Sequence, residues 1–243
     1  NGRYVLVNRK SGKVMEVNQG ITTNGTAICQ RTYKSATHQQ WNVTPVDSRI
    51  GGDYSYFTLA AGHNAKVPDV LNFSLDNGGR IIEWDDTKSV NQQWYLDYAE
   101  DGWFYIRNRN SAKCMEVASP YTTDGAIIQQ GAKGTATATS TSQQWRFIPV
   151  NVKVEFVAPT APSNLTATAN AESVRLDWNA SPETDVAGYS VFRAETAGGT
   201  YNTIARNVKS TSFVDNTVTT GGEHFYKIKA VDSCLNRSAY SNE

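Results

Sequence analysis

Charge of one sign, cysteine, histidine and long apolar runs are all scarce in this sequence, and each shortage removes a class of function. The 23 Lys and Arg residues are matched by 23 Asp and Glu, so no net field recruits nucleic acid or an anionic membrane, and neither is expected as a partner. No apolar run approaches the ~20 residues that cross a bilayer as a helix. Cys29, Cys114 and Cys234 are an odd set without a C-x-x-C pair, which excludes a disulfide framework and a thiolate zinc site of the usual spacing; three buried thiols are expected. Only three histidines are present, His38, His63 and His224. Glycine-rich phosphate loops, HExxH and GxSxG are missing too, so no cofactor, no metal and no catalytic residue is expected. Carboxylates remain, yet spacing in sequence cannot establish the ~5 to 9 Å pairing that glycoside hydrolysis needs.

What is abundant is aromatic and neutral polar: 6 Trp, 12 Tyr and 8 Phe, with 19% charged residues. That mixture favours strands and neutral hydrogen-bonding surfaces. It is also periodic. Gln39-Gln40-Trp41 recurs as Gln92-Gln93-Trp94 and Gln143-Gln144-Trp145, the mark of an internal repeat. At an offset of 100, Asn8, Arg9, Met15, Glu16, Val17, Gly25 and Gln30 meet identical residues in the third copy, and at an offset of 53 Lys13, Glu16, Asn24 and Gly25 face Lys66, Asp69, Asn77 and Gly78. An acid thus stands at one position in all three copies: Glu16, Asp69 and Glu116. It precedes the first Gln by 23, 23 and 27 residues. The excess in the third copy is assigned to a low-complexity surface loop over 134–142.

Within the first copy, short strands are expected at 4–7, 14–17 and 27–29 and from Trp41 onward, broken by Ser11-Gly12 and Asn24-Gly25. No segment keeps a 3.6-residue period between caps, so helix is expected only as single turns. The chain is therefore all-β. Three four-stranded units can close a small barrel capped by hairpins, each Trp filling the shared core. With an acid, an Asn-Gly or Asp-Gly turn and a terminal Gln-x-Trp in each of three copies, residues 1–150 resemble the ricin B-type β-trefoil.

Near residue 151 the pattern stops. The segment 151–162, with Pro159 and Pro162, reads as a short stiff linker. Residues 163–243 hold alternating runs at 174–178, 188–192, 211–215 and 225–231, an antiparallel β-sandwich pattern. This half resembles a fibronectin type III domain, with His224 where the corner tyrosine usually stands; its ring is expected to donate to backbone. Because such domains usually run on past Ser241 and Glu243, the chain is expected to be a piece of a longer protein.

The resemblance implies a sugar pocket. Neutral sugars present one face of C–H bonds and a rim of hydroxyls, which calls for an aromatic plate beside groups that accept and donate hydrogen bonds. The middle repeat has that set: Asp69 as carboxylate, Trp84 as plate, Asn91 and Gln92 as amides. Trp84 lies in Glu83-Trp84-Asp85-Asp86, and three carboxylates around one indole point to an exposed ring, since buried unpaired charge is costly. The first repeat offers Glu16, Tyr33, His38 and Gln39, and the third Glu116 and Gln143; Arg31 and Gly131 stand where Trp84 does. Trp41, Trp94 and Trp145 are expected in the core, with the preceding Gln satisfying buried backbone. The implied protein is similar to family 13 carbohydrate-binding modules: a monomeric, secreted binder of plant-type polysaccharide followed by a spacer, the noncatalytic part of a polysaccharide-degrading enzyme. An adhesin or protein-binding trefoil, and a glycoside hydrolase in its own right, are the alternatives.

Overall fold

The computed structural model describes residues 2–47, 56–134 and 140–243; the centre of the expected 134–142 loop lies outside them. The chain forms two compact units, Asn1–Asn151 and Val152–Glu243. Among the described residues helix occurs only as 3-10 turns of three or four residues, and none is long and apolar enough to cross a membrane.

Among its described residues the first unit contains twelve strands: β1 (Gly2–Asn8), β2 (Val14–Val17), β3 (Ile28–Arg31), β4 (Trp41–Pro45), β5 (Phe57–Ala61), β6 (Val67–Val70), β7 (Ile81–Trp84), β8 (Trp94–Glu100), β9 (Trp103–Asn108), β10 (Cys114–Val117), β11 (Ile128–Gly131) and β12 (Gln144–Pro149). Six of them close a ring through antiparallel pairs: β1 with β4, β4 with β5, β5 with β8, β8 with β9, β9 with β12 and β12 with β1. Closure leaves the barrel without an unpaired edge. A repeat tryptophan sits on every one of those ladders, as in Tyr4↔Trp41, Trp41↔Ala61, Phe57↔Trp94, Trp94↔Asn108, Phe104↔Trp145 and Asn8↔Trp145. All three indoles are fully buried with Leu6, Met15, Ile28, Leu59, Ile106 and Ile128. Each removes roughly 150–250 Å² from water, which makes them the largest contributors to this core.

The other six strands form three hairpins, β2–β3, β6–β7 and β10–β11, that cap the barrel. Each carries its acid on the same rung: Glu16↔Cys29, Asp69↔Ile82 and Glu116↔Gln129. Single bridges link the hairpins to one another, Ala27↔Ile82, Arg80↔Gln129 and Cys29↔Ile127. None of the three cysteines is in a disulfide, and all are buried.

The second unit is built from two three-stranded antiparallel sheets. One orders β13 (Ser163–Ala169), β14 (Val174–Asn179) and β17 (Ser212–Asp215); the other orders β16 (Asn202–Val208), β15 (Val186–Ala194) and β18 (Phe225–Asp232). Strict alternation along β18 sends Tyr226, Ile228 and Ala230 inward. They meet Leu176, Trp178, Tyr189 and Val191 in one core. Residues expected as linker are tied to this unit, since Cys234 Sγ donates to the Lys153 carbonyl at 3.1 Å and Asn236 Nδ2 to that of Glu155 at 3.1 Å. His224 departs from its expected role. Its Nδ1 lies 2.7 Å from the Glu195 carboxylate, and the inward phenol of Tyr226 donates instead to Asp215 at 3.0 Å.

Candidate functional site

In each repeat the acid on the second strand is gripped by the first glutamine of the Gln-Gln-Trp run. Gln39 Nε2 donates to Glu16 at 2.7 Å, Gln92 Nε2 to Asp69 at 2.8 Å and Gln143 Nε2 to Glu116 at 2.7 Å. The same nitrogens donate to the carbonyls of Thr32, Asp85 and Ala132. The amide oxygens accept from the backbone N–H of Lys34, Thr87 and Gly134. A side chain that satisfies three partners at once is locked, so it fixes both the carboxylate and the turn leaving the third strand. Gln92 is fully buried; it stands behind the carboxylate rather than facing solvent.

The middle repeat then diverges from its neighbours. Asp69 and Trp84 share a hairpin face, because Asp69 pairs with Ile82 and Val67 with Trp84, and side chains two apart along a strand point the same way. Trp84 keeps 38% of its surface in water, while Asp69 keeps 9%. With Leu71, Asn72, Phe73, Ile82, Thr87, Ser89 and Asn91 they line a cavity of about 270 Å³. Asn91 Nδ2 donates to Asp69 Oδ1 at 2.9 Å, and its amide oxygen accepts from Ser89 Oγ at 2.6 Å. Each Asp69 oxygen therefore receives one side-chain donor, against about four lone-pair sites on an ionised carboxylate. Spare acceptor capacity faces the cavity. Burial pushes the Asp69 carboxyl up from its ordinary range, with the Gln92 and Asn91 hydrogen bonds opposing it.

The neighbouring repeat approaches the indole. A Cβ at Gly25, which has φ +90°, would lie 3.9 Å from the Trp84 ring. Asp85 accepts from Lys66 Nζ and Asn24 Nδ2, both at 2.8 Å, which hold its carboxyl below the usual range. The expectation of three carboxylates around the ring is corrected here. Glu83 is fully buried: it accepts from Asn64 Nδ2 at 2.9 Å and occupies the place of Gln30 and Gln130, on the opposite hairpin face from Trp84.

The first and third repeats set other residues beside their acids. Glu16 receives Gln39, the N–H of Gln19 at 3.1 Å and the Arg31 guanidinium at 3.1 Å, with His38 Nε2 at 3.8 Å. Arg31 thus lies on the carboxylate where the middle repeat sets a ring alongside one. Tyr33, two residues further on, is half-buried. Glu116 receives Gln143 and Gln129 Nε2 at 2.9 Å, and its carboxylate folds over Gly131, where a Cβ would sit 2.4 Å from Oε2. In the third repeat the longer Glu116 doubles back onto a residue without a side chain, whereas in the middle repeat the shorter Asp69 leaves room for an indole.

Phe73 and Asn72 were not among the residues singled out from sequence. The usable signal was the repeat alignment, which sets Phe73 against Gly20 and Pro120. A larger cavity, about 600 Å³, lies in the second unit and includes Glu155, Asp185 and Asp232, whose ligand oxygens are within 4.8 Å of one another. Asp232 is already held by the N–H groups of Cys234 and Asn236, and no aromatic side chain lines that cavity, so it lacks the plate a sugar requires.

Comparison with known proteins agrees with the first unit's geometry. The family described as ricin-type beta-trefoil lectin domain-like matches residues 1–84, 49–131 and 90–177. An amylopullulanase of Thermoanaerobacterium thermosulfurigenes is 39% identical over 89 residues, 37% of this chain and 5% of that protein. Chitinase A1 of Niallia circulans is 35% identical over 210 residues, 79% of this chain and 25% of that one. The chain thus spans a small part of the curated relatives it matches. Among solved structures, the designed threefold-symmetric protein ThreeFoil superposes with a TM-score of 0.56 at 31% identity, over 62% of this chain and 100% of that one. An exo-beta-1,3-galactanase from Clostridium thermocellum gives 0.54 at 32% identity, over 62% of this chain and 30% of that one. A barrel closed by three in-register repeats, with a family match over more than half its length, makes this chain a member of the ricin-type beta-trefoil lectin domain-like family.

Proposed function

We propose that the first unit is a carbohydrate-binding module whose working site is the middle repeat, and that the second is a fibronectin type III spacer. The observation that carries this reading is the half-exposed Trp84 beside a clamped Asp69 in one small cavity. The indole supplies a flat apolar face, Asp69 accepts from sugar hydroxyls, and Asn91 and Gln92 set the carboxylate's position. The cavity is smaller than a drug-sized pocket, which suits one sugar residue of a chain. The Arg31 guanidinium on Glu16 and the folding of Glu116 over Gly131 leave neither acid beside an indole, which supports a single strong site rather than three equal ones.

The ligand is a neutral plant-type polysaccharide, and the chain is the noncatalytic, secreted portion of a polysaccharide-degrading enzyme, acting as a monomer. Matches to a small part of an amylopullulanase and to a quarter of a chitinase support that setting. Holding a catalytic domain of the same parent chain on a polymer raises its effective substrate concentration without any new chemistry. A glycan array run with wild type, Trp84→Ala and Asp69→Ala tests the assignment. Wild-type signal lost in both variants supports it; equal binding by all three contradicts it. Incubation with the same glycans is expected to release no product.

A further inference from the structure

Phe73 leaves half of its surface in water, 52%, and stands in a backbone conformation that a bulky residue rarely adopts. Asn72 and Phe73 have φ of 56° and 54°. At the equivalent turn the first repeat has Gln19 and Gly20, with φ of 54° and 69°. Glycine takes this region freely, whereas a side chain with a Cβ crowds the following carbonyl. Packing does not repay the strain, since Phe73 lies outside the buried core. The Phe73 carbonyl accepts from Asn110 Nδ2 at 3.3 Å, but a glycine would present the same carbonyl. Phe73, however, lines the cavity that holds Trp84 and Asp69. Both aromatics belong to the middle repeat alone: Arg31 and Gly131 replace Trp84, and Gly20 and Pro120 replace Phe73. A strained residue that folding does not explain points to a ligand contact.

We propose that Phe73 is a second apolar wall of the middle-repeat site, contacting the same sugar residue that lies on Trp84 and setting which neutral sugars the cavity accepts. This rests on the sugar-binding reading of Asp69 and Trp84 and adds a specificity-determining residue to it. An apolar side chain there favours sugars that present C–H groups to it, and disfavours those that point a hydroxyl or a carboxylate at it, because the ring offers no strong hydrogen-bond partner.

The test is affinity electrophoresis against soluble galactan, xylan and pectin, with wild type, Phe73→Gly, Phe73→Tyr and Trp84→Ala, alongside thermal unfolding of each. Phe73→Gly restores the residue of the first repeat and is expected to unfold within a few degrees of wild type. Its affinity for the retained polymer is expected to fall about fivefold, the scale of one aromatic contact. Phe73→Tyr is expected to stay within about twofold, since the wall remains. Retention of Phe73→Gly equal to wild type, with Trp84→Ala released, would overturn the role of Phe73 and leave the site itself standing. A large drop in the unfolding temperature of Phe73→Gly would also overturn it, by making the residue structural. No retardation of wild type on any of the three polymers would overturn the sugar-binding reading and this inference with it.

Discussion

Gln92 donates from one amide nitrogen to Asp69 at 2.8 Å and to the carbonyl of Asp85 at 2.9 Å, so a single buried side chain fixes the carboxylate and the turn that leaves Trp84. The same geometry recurs at Gln39 with Glu16 and at Gln143 with Glu116. The clamp is therefore a property of the fold, and what separates the three repeats is the residue beside the clamped acid.

Replacing Gln92 with alanine should act on both levels. The N–H of Thr87 and one Asp69 oxygen lose partners, and a buried group left unpaired costs about 1–3 kcal/mol. Calorimetric unfolding should show that loss, and glycan affinity should fall with it. An Asp69→Asn variant sets an amide N–H against the Gln92 or Asn91 donor, so it is expected to lose a similar amount of stability and to bind at least tenfold more weakly.

The two kinds of tryptophan should separate cleanly. Truncating the fully buried Trp94 to alanine is expected to cost about 3–5 kcal/mol, whereas Trp84→Ala, half-exposed, is expected to cost less than about 1 kcal/mol while removing glycan retention. Denaturant melts of the two variants provide the comparison. A Trp84→Ala loss as large as that of Trp94→Ala would mean that the ring is core.

Glu83 carries a pH prediction. It is fully buried, its Oε2 lacks a hydrogen-bond partner, and burial pushes its carboxyl up from the ordinary range. His63 Nε2 lies 3.8 Å away, but burial lowers its own pKa, so it supplies no positive charge at pH 7. A raised carboxyl means that the folded chain holds the proton more tightly than the unfolded one. The stability this group contributes is full below about pH 4.3 and is lost as pH rises through the raised folded value. Gln30 and Gln130, at the equivalent positions, donate to the carbonyls of Tyr121 and Thr123 and of Ser74 and Asp76; the repeat sets Ile21 and Thr23 opposite Glu83. Glu83→Gln is therefore expected to stabilise by about 1–3 kcal/mol at pH 7 and by little at pH 4. A flat difference across that range would contradict the assignment.

The thiols give a further check. Burial raises Cys29 and Cys114 to about 11, so neither is nucleophilic at neutral pH. A disulfide-exchange reagent should label them at pH 8 only as the chain unfolds.

Much of this was legible in sequence because it follows from periodicity. Gln-Gln-Trp in triplicate placed the three core indoles, and turn residues bounded the hairpins that carry Glu16, Asp69 and Glu116. Gln92 was expected as a site amide and Gln93 as a partner of backbone, and Gln93 does donate to the Lys88 carbonyl. That Gln92 is buried behind Asp69 rather than open to the cavity was not legible, because the 3-10 turn Val90–Gln92 sets its direction. Glu83 looked exposed because charge usually is, but strand alternation turns it inward. β13 and β16 escaped notice because β13 is exposed along most of its length and β16 buries Ile204, Ala205 and Val208 only in part, with little apolar alternation to read.

The central claim is that Trp84 receives the sugar. The chain has six tryptophans, hence six indole N–H resonances in a nitrogen-15 correlation spectrum. Titration with the glycan selected by the array should shift the Trp84 indole and the side-chain amide of Asn91, while Trp41, Trp94 and Trp145 stay in place. Saturable shifts confined to Trp103 or Trp178, with Trp84 unmoved, would contradict the account.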